Sequence, residues 1–208
     1  MGDTFSEHNS LPPNAVTQFA IRHNGVLPAK GRILISEPFL QDAYFQRSVI
    51  LLTDHTGQSS TGFVLNKKTN LLLNAFFDEL SDIEPLPLFL GGPVATNRLF
   101  FIHTLGDILP DSLQISDNIY FDGDFESLNY YLLRGKPVKG KIKFFLGYSG
   151  WTKDQLADEI RRDSWLVGKA DDEKILTAEG EDFWKLSIES IGGEYMTWIN
   201  YPKNPTLN

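Results

Sequence analysis

Apolar residues in this chain gather into short, uninterrupted runs more often than into long amphipathic stripes. Ile33-Leu34-Ile35 lies within residues 32–36, and Val49-Ile50-Leu51-Leu52 within residues 48–53. Neither run alternates with polar residues, so each predicts a strand covered on both faces. Pro38 stops the first. Residues 39–46 mix Leu40, Tyr44 and Phe45 with Asp42, which suits a short helical turn packed on the core. The turn-forming segment 55–60 leads into Phe63-Val64-Leu65 within residues 62–66, and the two runs make a hairpin.

Leu72, Ala75, Phe76 and Leu80 have helical spacing and predict a helix over residues 71–80, ended by Pro85 and Pro87. Residues 88–90 form a short strand broken by Gly91-Gly92-Pro93, and residues 99–104, 119–121 and 142–146 are further strands. Asp124 is placed to cap a helix carrying Phe125, Leu128 and Leu132, with Gly135 at its end. Thr152 and Gln155 stand at capping-box spacing before a helix with Leu156 and Ile160 inward. A last helix spans 182–191, with Trp184, Ile188 and Ile191 along one side. Paired strands with short connections, interspersed with helices, predict an α+β fold with a mixed, mainly antiparallel sheet flanked by helices.

The length, 208 residues, suits a single domain. Residues 1–30, punctuated by Pro12, Pro13, Gly25 and Pro28, are expected to be a loosely ordered extension. The domain then covers 31–192, and 193–208 is a polar tail from which Tyr195, Met196 and Trp198 could dock on the body. A hydrophobic fraction of 41% is enough for a sizeable core.

Cysteine is absent, which removes thiolate nucleophiles, Cys-ligated metals and disulfides, and fits a reducing compartment. The opening residues lack a basic start and an apolar run, and no stretch is long and apolar enough to span a bilayer. A cytoplasmic location without membrane contact is therefore expected. The net charge of −8 disfavours nucleic-acid binding. Arg134, Lys136, Lys139, Lys141 and Lys143 are a local exception, read as charges that keep a strand edge soluble, with an anion or RNA contact as the alternative.

No dinucleotide or phosphate-loop fingerprint is present. The histidines have no metal-binding spacing, and His55 and His103 read as structural before they read as general bases. The carboxylates Asp78, Glu79, Asp82 and Glu84, and Asp171, Asp172 and Glu173, read as solvated faces, so no metal site and no cofactor are expected. Gly147-Tyr148-Ser149-Gly150-Trp151 resembles a nucleophile elbow, but Trp151 stands where the elbow has glycine. The simpler reading is a tight strand-to-helix corner plugged by Trp151. No catalytic residue is assigned. The candidate ligand-binding residues are Asp42, Arg47, Asn66, Gly91, Gly92, Tyr148, Ser149 and Gly150, polar groups and glycine loops at strand ends. Convergence of Asp42, Arg47, Asn66, Gly92 and Tyr148 on one pocket would favour ligand binding; their scatter would favour scaffolding.

Four ordered blocks carry a resemblance. Gly31-Arg32-Ile33-Leu34-Ile35-Ser36 with Pro38, Leu40, Asp42, Phe45 and Arg47-Ser48-Val49 is the first, and Gly62-Phe63-Val64-Leu65-Asn66-Lys67 the second. Gly91-Gly92-Pro93-Val94 is the third, and Gly147-Tyr148-Ser149-Gly150-Trp151 with Gln155-Leu156 and Glu159-Ile160 the fourth; Trp165 also falls in place. From about residue 31 to 192 the chain resembles the YqgE/AlgH family. That resemblance implies a bifurcated sheet forming a partial barrel, a bacterial cytosolic protein and no established enzymatic activity. Some members carry a transcriptional-regulator label, and the family position matching Ser149 also accepts alanine. The expected function is regulatory or interaction-based, with a small-ligand cleft or an unidentified protein partner. A hydrolase built on Ser149 or nearby groups and a transcriptional regulator are the alternatives.

Overall fold

Each apolar run is a strand whose residues divide between two covered faces of one sheet. The computed structural model describes residues 21–203. Most of the expected N-terminal extension, residues 1–20, and the end of the tail, 204–208, lie outside the described residues. The first strands are β1 (Arg32–Ser36), β2 (Val49–His55), β3 (Ser59–Val64), β4 (Lys68–Leu72) and β5 (Pro87–Leu90). There follow β6 (Val94–His103), β7 (Leu113–Gln114), β8 (Tyr120–Phe121) and helix α1 (Phe125–Leu133). The chain continues through β9 (Ile142–Thr152), α2 (Gln155–Arg161), β10 (Trp165–Lys169), α3 (Asp172–Ile175) and α4 (Gly180–Ile191).

The 10-stranded sheet runs in the order β10-β1-β2-β3-β9-β6-β8-β7, with β4 and β5 as a side branch. Every pairing is antiparallel except β5 with β9. The fold is α+β, a mainly antiparallel half-barrel flanked by a few helices.

β9 is where the sheet forks. Its first half pairs with β5 through Phe144–Leu146, whereas its second half pairs with β3 through Ser149–Thr152. Gly147, at φ 69°, lies between the halves. Positive φ is open to glycine without steric penalty, so the strand can turn from one partner to the other there.

Both-face coverage follows the strand period of two. Val49 and Leu51 face a core containing Phe63, Phe145 and, from α4, Trp184 and Ile188. Ile50 and Leu52 face the opposite layer, where Trp151 and Trp165 meet Leu156 and Ile160 of α2. Beyond the fork, Phe101 and Phe144 pack with Leu128 and Leu132 of α1. Burial of these layers is the main stabilising term.

Several expectations need correction. Residues 71–80 are not a helix: β4 ends at Leu72 and two single 3₁₀ turns follow, Leu73–Ala75 and Asp78–Leu80. Asn74 explains the break. Its side-chain amide donates to Leu80 O at 2.7 Å, and its carbonyl accepts from Leu86 N at 2.8 Å, so the segment is folded around that side chain. Helical spacing is thereby satisfied by two turns that bury Leu73 and Leu80 and leave Phe76 exposed. Residues 147–151 are not a strand-to-helix corner either; β9 continues to Thr152, and the corner falls at Asp154, φ 62°. Lys143 is not an edge charge, because its strand lies between β5 and β6 and its side chain is buried.

Candidate functional site

The candidate residues fall into separate places. Gly91, Gly92, Tyr148, Ser149 and Gly150 meet at the fork. Gly91 O accepts both Val64 N at 2.9 Å and the Ser149 hydroxyl at 3.0 Å, which ties the tips of both branches to β9. A methyl group added at Gly91 would lie 2.2 Å from Gly147 O, and one at Gly92 2.4 Å from Tyr148 backbone, so these glycines permit close backbone approach. Tyr148 packs edge-on against Phe100, with ring centroids 5.7 Å apart, and its ring borders Gly150. Ser149 is fully buried.

His55 and His103 are engaged elsewhere. His55 Nδ1 bonds Ser60 Oγ at 2.7 Å. His103 is buried, accepts Leu105 N on Nδ1 at 3.0 Å and donates from Nε2 to Asp122 O at 2.8 Å. Burial lowers its pKa, and Asp122 opposes the shift.

Arg47 and Asn66 share a polar hollow of about 260 Å³, whose walls also carry Lys67, Lys68, Glu179, Glu181 and Lys203. Arg47, in the left-handed region at φ 48°, donates to Glu181 and to Tyr201 O and lies 5.1 Å over the Trp184 ring. Asn66 accepts Val49 N at 3.0 Å and donates to Arg47 O at 3.0 Å and Gly180 O at 2.8 Å. It thereby holds the bend at Arg47 against the start of α4. Asp42 is outside the hollow: its carboxylate accepts from Tyr44 N at 2.8 Å and Phe45 N at 3.1 Å, capping its own turn. The ion-pair partner of Arg47 is Glu181 and not Asp42.

Charge in this hollow is uneven: Arg47, Lys67, Lys68 and Lys203 face Glu179 and Glu181. Burial lowers the Lys67 pKa, and Lys203 lowers it further. Burial pushes Glu181 up, but hydrogen bonds from Lys203 and Arg47 prevail and hold it below its ordinary value.

Lys68 and Glu179, paired at 3.1 Å, also border a second cavity of about 310 Å³. Its walls come from the β4–β5 branch, the start of β9, the loop before β9 and the segment between α3 and α4. Leu86, Phe89, Ile142 and Leu176 supply apolar surface, and Lys143 and Lys139 supply amino groups. Lys143 is 3% exposed; its Nζ donates to Ala178 O and lies 3.8 Å from the Phe89 ring centroid. Burial lowers its pKa from 10.5 to about 7, with Glu179 raising it and Lys68 lowering it further. A cavity of this size, apolar with a few placed polar groups, is the kind that holds a small molecule.

The sequence reading missed this cavity. Lys143 was visible as a cation inside an apolar strand, Ile142–Leu146, and that placement was the available signal. Phe89, Lys68 and Glu179 carried none, since the branch and the segment after α3 bring them together only in the fold.

A family model described as AlgH-like matches residues 33–196. The chain is similar to a UPF0301 protein of Parabacteroides distasonis, 60% identical over 191 residues that cover 91% of this chain and 96% of the relative. A UPF0301 protein of Bacteroides thetaiotaomicron is 46% identical over 190 residues, with the same coverage of 91% and 96%. The solution structure of the AlgH protein from Pseudomonas aeruginosa matches with a TM-score of 0.65 and 25% identity over 83% of this chain and 94% of that one. A crystal structure from Corynebacterium diphtheriae, 22% identical, is alike in fold, with a TM-score of 0.68 over 85% of this chain and 94% of that one.

Proposed function

The chain belongs to the AlgH-like family, and from that premise we propose a non-catalytic regulatory protein that binds a small organic acid. The ligand's apolar body lies against Leu86, Phe89 and Leu176, and its carboxylate faces the amino groups of Lys68 and Lys139. One observation carries this reading: a partly apolar cavity lined by the buried Lys143, by the further lysines Lys68 and Lys139, and by Glu84 and Glu179. The scatter of the expected cleft residues supports scaffolding at the fork, and the ligand-binding reading rests on this neighbouring cavity instead. A cytoplasmic location goes with this reading, supported by the absence of cysteine.

Hydrolysis through Ser149 has little support, because that hydroxyl is buried and donated to Gly91 O. Direct transcriptional regulation is weakened too: of the basic stretch, Lys143 turns inward, and the exposed residues lie on a loop rather than a recognition helix. Among the described residues no helix is long and apolar enough to cross a membrane.

Backbone-amide NMR during titration with branched-chain organic acids tests the proposal. Shifts confined to residues around Phe89, Val138–Lys143 and Thr177 are expected. An absence of binding, or shifts centred elsewhere, would refute it.

A further inference from the structure

Lys143 projects from the strand that both branches share, yet it reaches neither solvent nor an ion-pair partner. Among the described residues, no carboxylate comes within ion-pair distance of its amino group. Its contacts are the Ala178 carbonyl and the face of Phe89. An ammonium has three donors, and here one meets an oxygen and the ring faces the charge. A tether to Ala178 accounts for the packing of the stem. It does not account for a partly apolar cavity lined both by Lys143 and by Phe89, the ring that its amino group faces.

We propose that Lys143 captures a small α-keto acid as a reversible imine on its amino group. This rests on the ligand-binding reading above and names the ligand's class. Buried lysines readily give up their proton, and a desolvated neutral amine is the form that attacks carbonyl carbon. The step balances without an outside reactant. The nitrogen lone pair forms a bond to the carbonyl carbon, the carbonyl oxygen collects both amine hydrogens and leaves as water, and a carbon–nitrogen double bond remains. Hydrolysis reverses it. The rim lysines Lys68 and Lys139 are placed to meet the acid's carboxylate, while Phe89 and Leu176 take an apolar side chain. The cavity volume, about 310 Å³, lies at the small end of ligand pockets and suits a molecule of this size.

The test uses the full chain with α-ketoisocaproate and sodium cyanoborohydride near neutral pH. Hydride adds to the imine carbon and converts the linkage to a stable secondary amine, which peptide mass mapping locates. A single adduct on Lys143, lost in Lys143→Arg and suppressed by α-hydroxyisocaproate, is the expected result. Competition in the unaltered protein keeps the test decisive if the variant folds poorly. Adducts scattered over surface lysines, or one persisting in Lys143→Arg, would overturn the proposal. If the hydroxy acid shifts the cavity's amide resonances but the keto acid leaves no adduct, the imine is wrong and ligand binding stands. If neither acid shifts them, the ligand-binding reading has failed as well.

Discussion

The Ser149 hydroxyl lies 3.0 Å from the carbonyl oxygen of Gly91 and donates to it, at the junction where the sheet divides. A serine that resembles a nucleophile in sequence is therefore a joint in the framework. Ser149→Ala should cost about 1 kcal/mol in urea denaturation, because one neutral hydrogen bond is lost while Gly91 O keeps Val64 N. Binding of organic acids should be unchanged. Abolished binding at unchanged stability would assign the hydroxyl to a site.

Gly91→Ala should be much more damaging. Its added methyl group meets backbone, 2.2 Å from Gly147 O, so two strands must separate. We expect a loss of about 3 kcal/mol or more, the upper end for overpacking. Gly57→Ala is the control: nothing lies within 4 Å of its added methyl, and stability should move by no more than about 0.5 kcal/mol.

Arg47→Ala removes the donor that joins Glu181 to the Tyr201 carbonyl beneath Trp184. Glu181 is one-quarter exposed and retains Lys203 at 2.5 Å, so the loss should fall near the low end for a broken buried pair, about 3 kcal/mol. Arg47→Lys should recover less than half of it, since a single ammonium cannot reproduce the planar fork. Full recovery in thermal denaturation would show that charge alone matters at this position.

Lys143 makes stability depend on alkaline pH. Its folded pKa, about 7, lies below its ordinary 10.5, so between these values the unfolded chain binds more protons than the folded one. Stability from this group therefore rises with pH across that window, by up to about 1.4 kcal/mol per pH unit, and is lost as pH falls toward 7. Lys143→Met should flatten the rise in denaturation curves taken across the window. An equal slope in the variant would place the titration elsewhere.

His103 acts at lower pH with the same sign. Its Nδ1 accepts Leu105 N, so protonation there sets a hydrogen against a hydrogen. Its folded pKa lies below the ordinary 6.5, and the contribution it makes when neutral is lost as pH falls through that folded value. His103→Gln should be less stable at neutral pH by about 1–3 kcal/mol, the range for disturbing a buried hydrogen-bonded group, and should lose less on acidification. Acid titration of both proteins by circular dichroism distinguishes the outcomes.

Much of the fold was legible because local rules decided it. The runs at Ile33, Val49 and Phe63 became β1, β2 and β3, and Asp124 caps α1 by accepting Ser127 N at 2.7 Å. Trp165–Lys169 escaped notice as a strand: five residues with glycine in fourth place offer little period to read. Residues 71–80 misled because strand, turn and helix can each bury Leu73 and Leu80, and the side chain of Asn74 decided among them. Of the candidate site, Arg47 and Asn66 were brought together, whereas Gly91 and Ser149 joined the framework and Asp42 capped its own turn.

Read without its fold, the chain determined an α+β domain, the order of most strands and helices, and a composition without thiol chemistry. Tertiary structure alone decided that β9 serves two branches and that Lys143 is buried beside Phe89 in the wall of a cavity shared with Glu179. The reason is one of range. Period, caps and turns act over a few residues, whereas a lysine's solvation, and with it its chemistry, depends on what distant segments place around it.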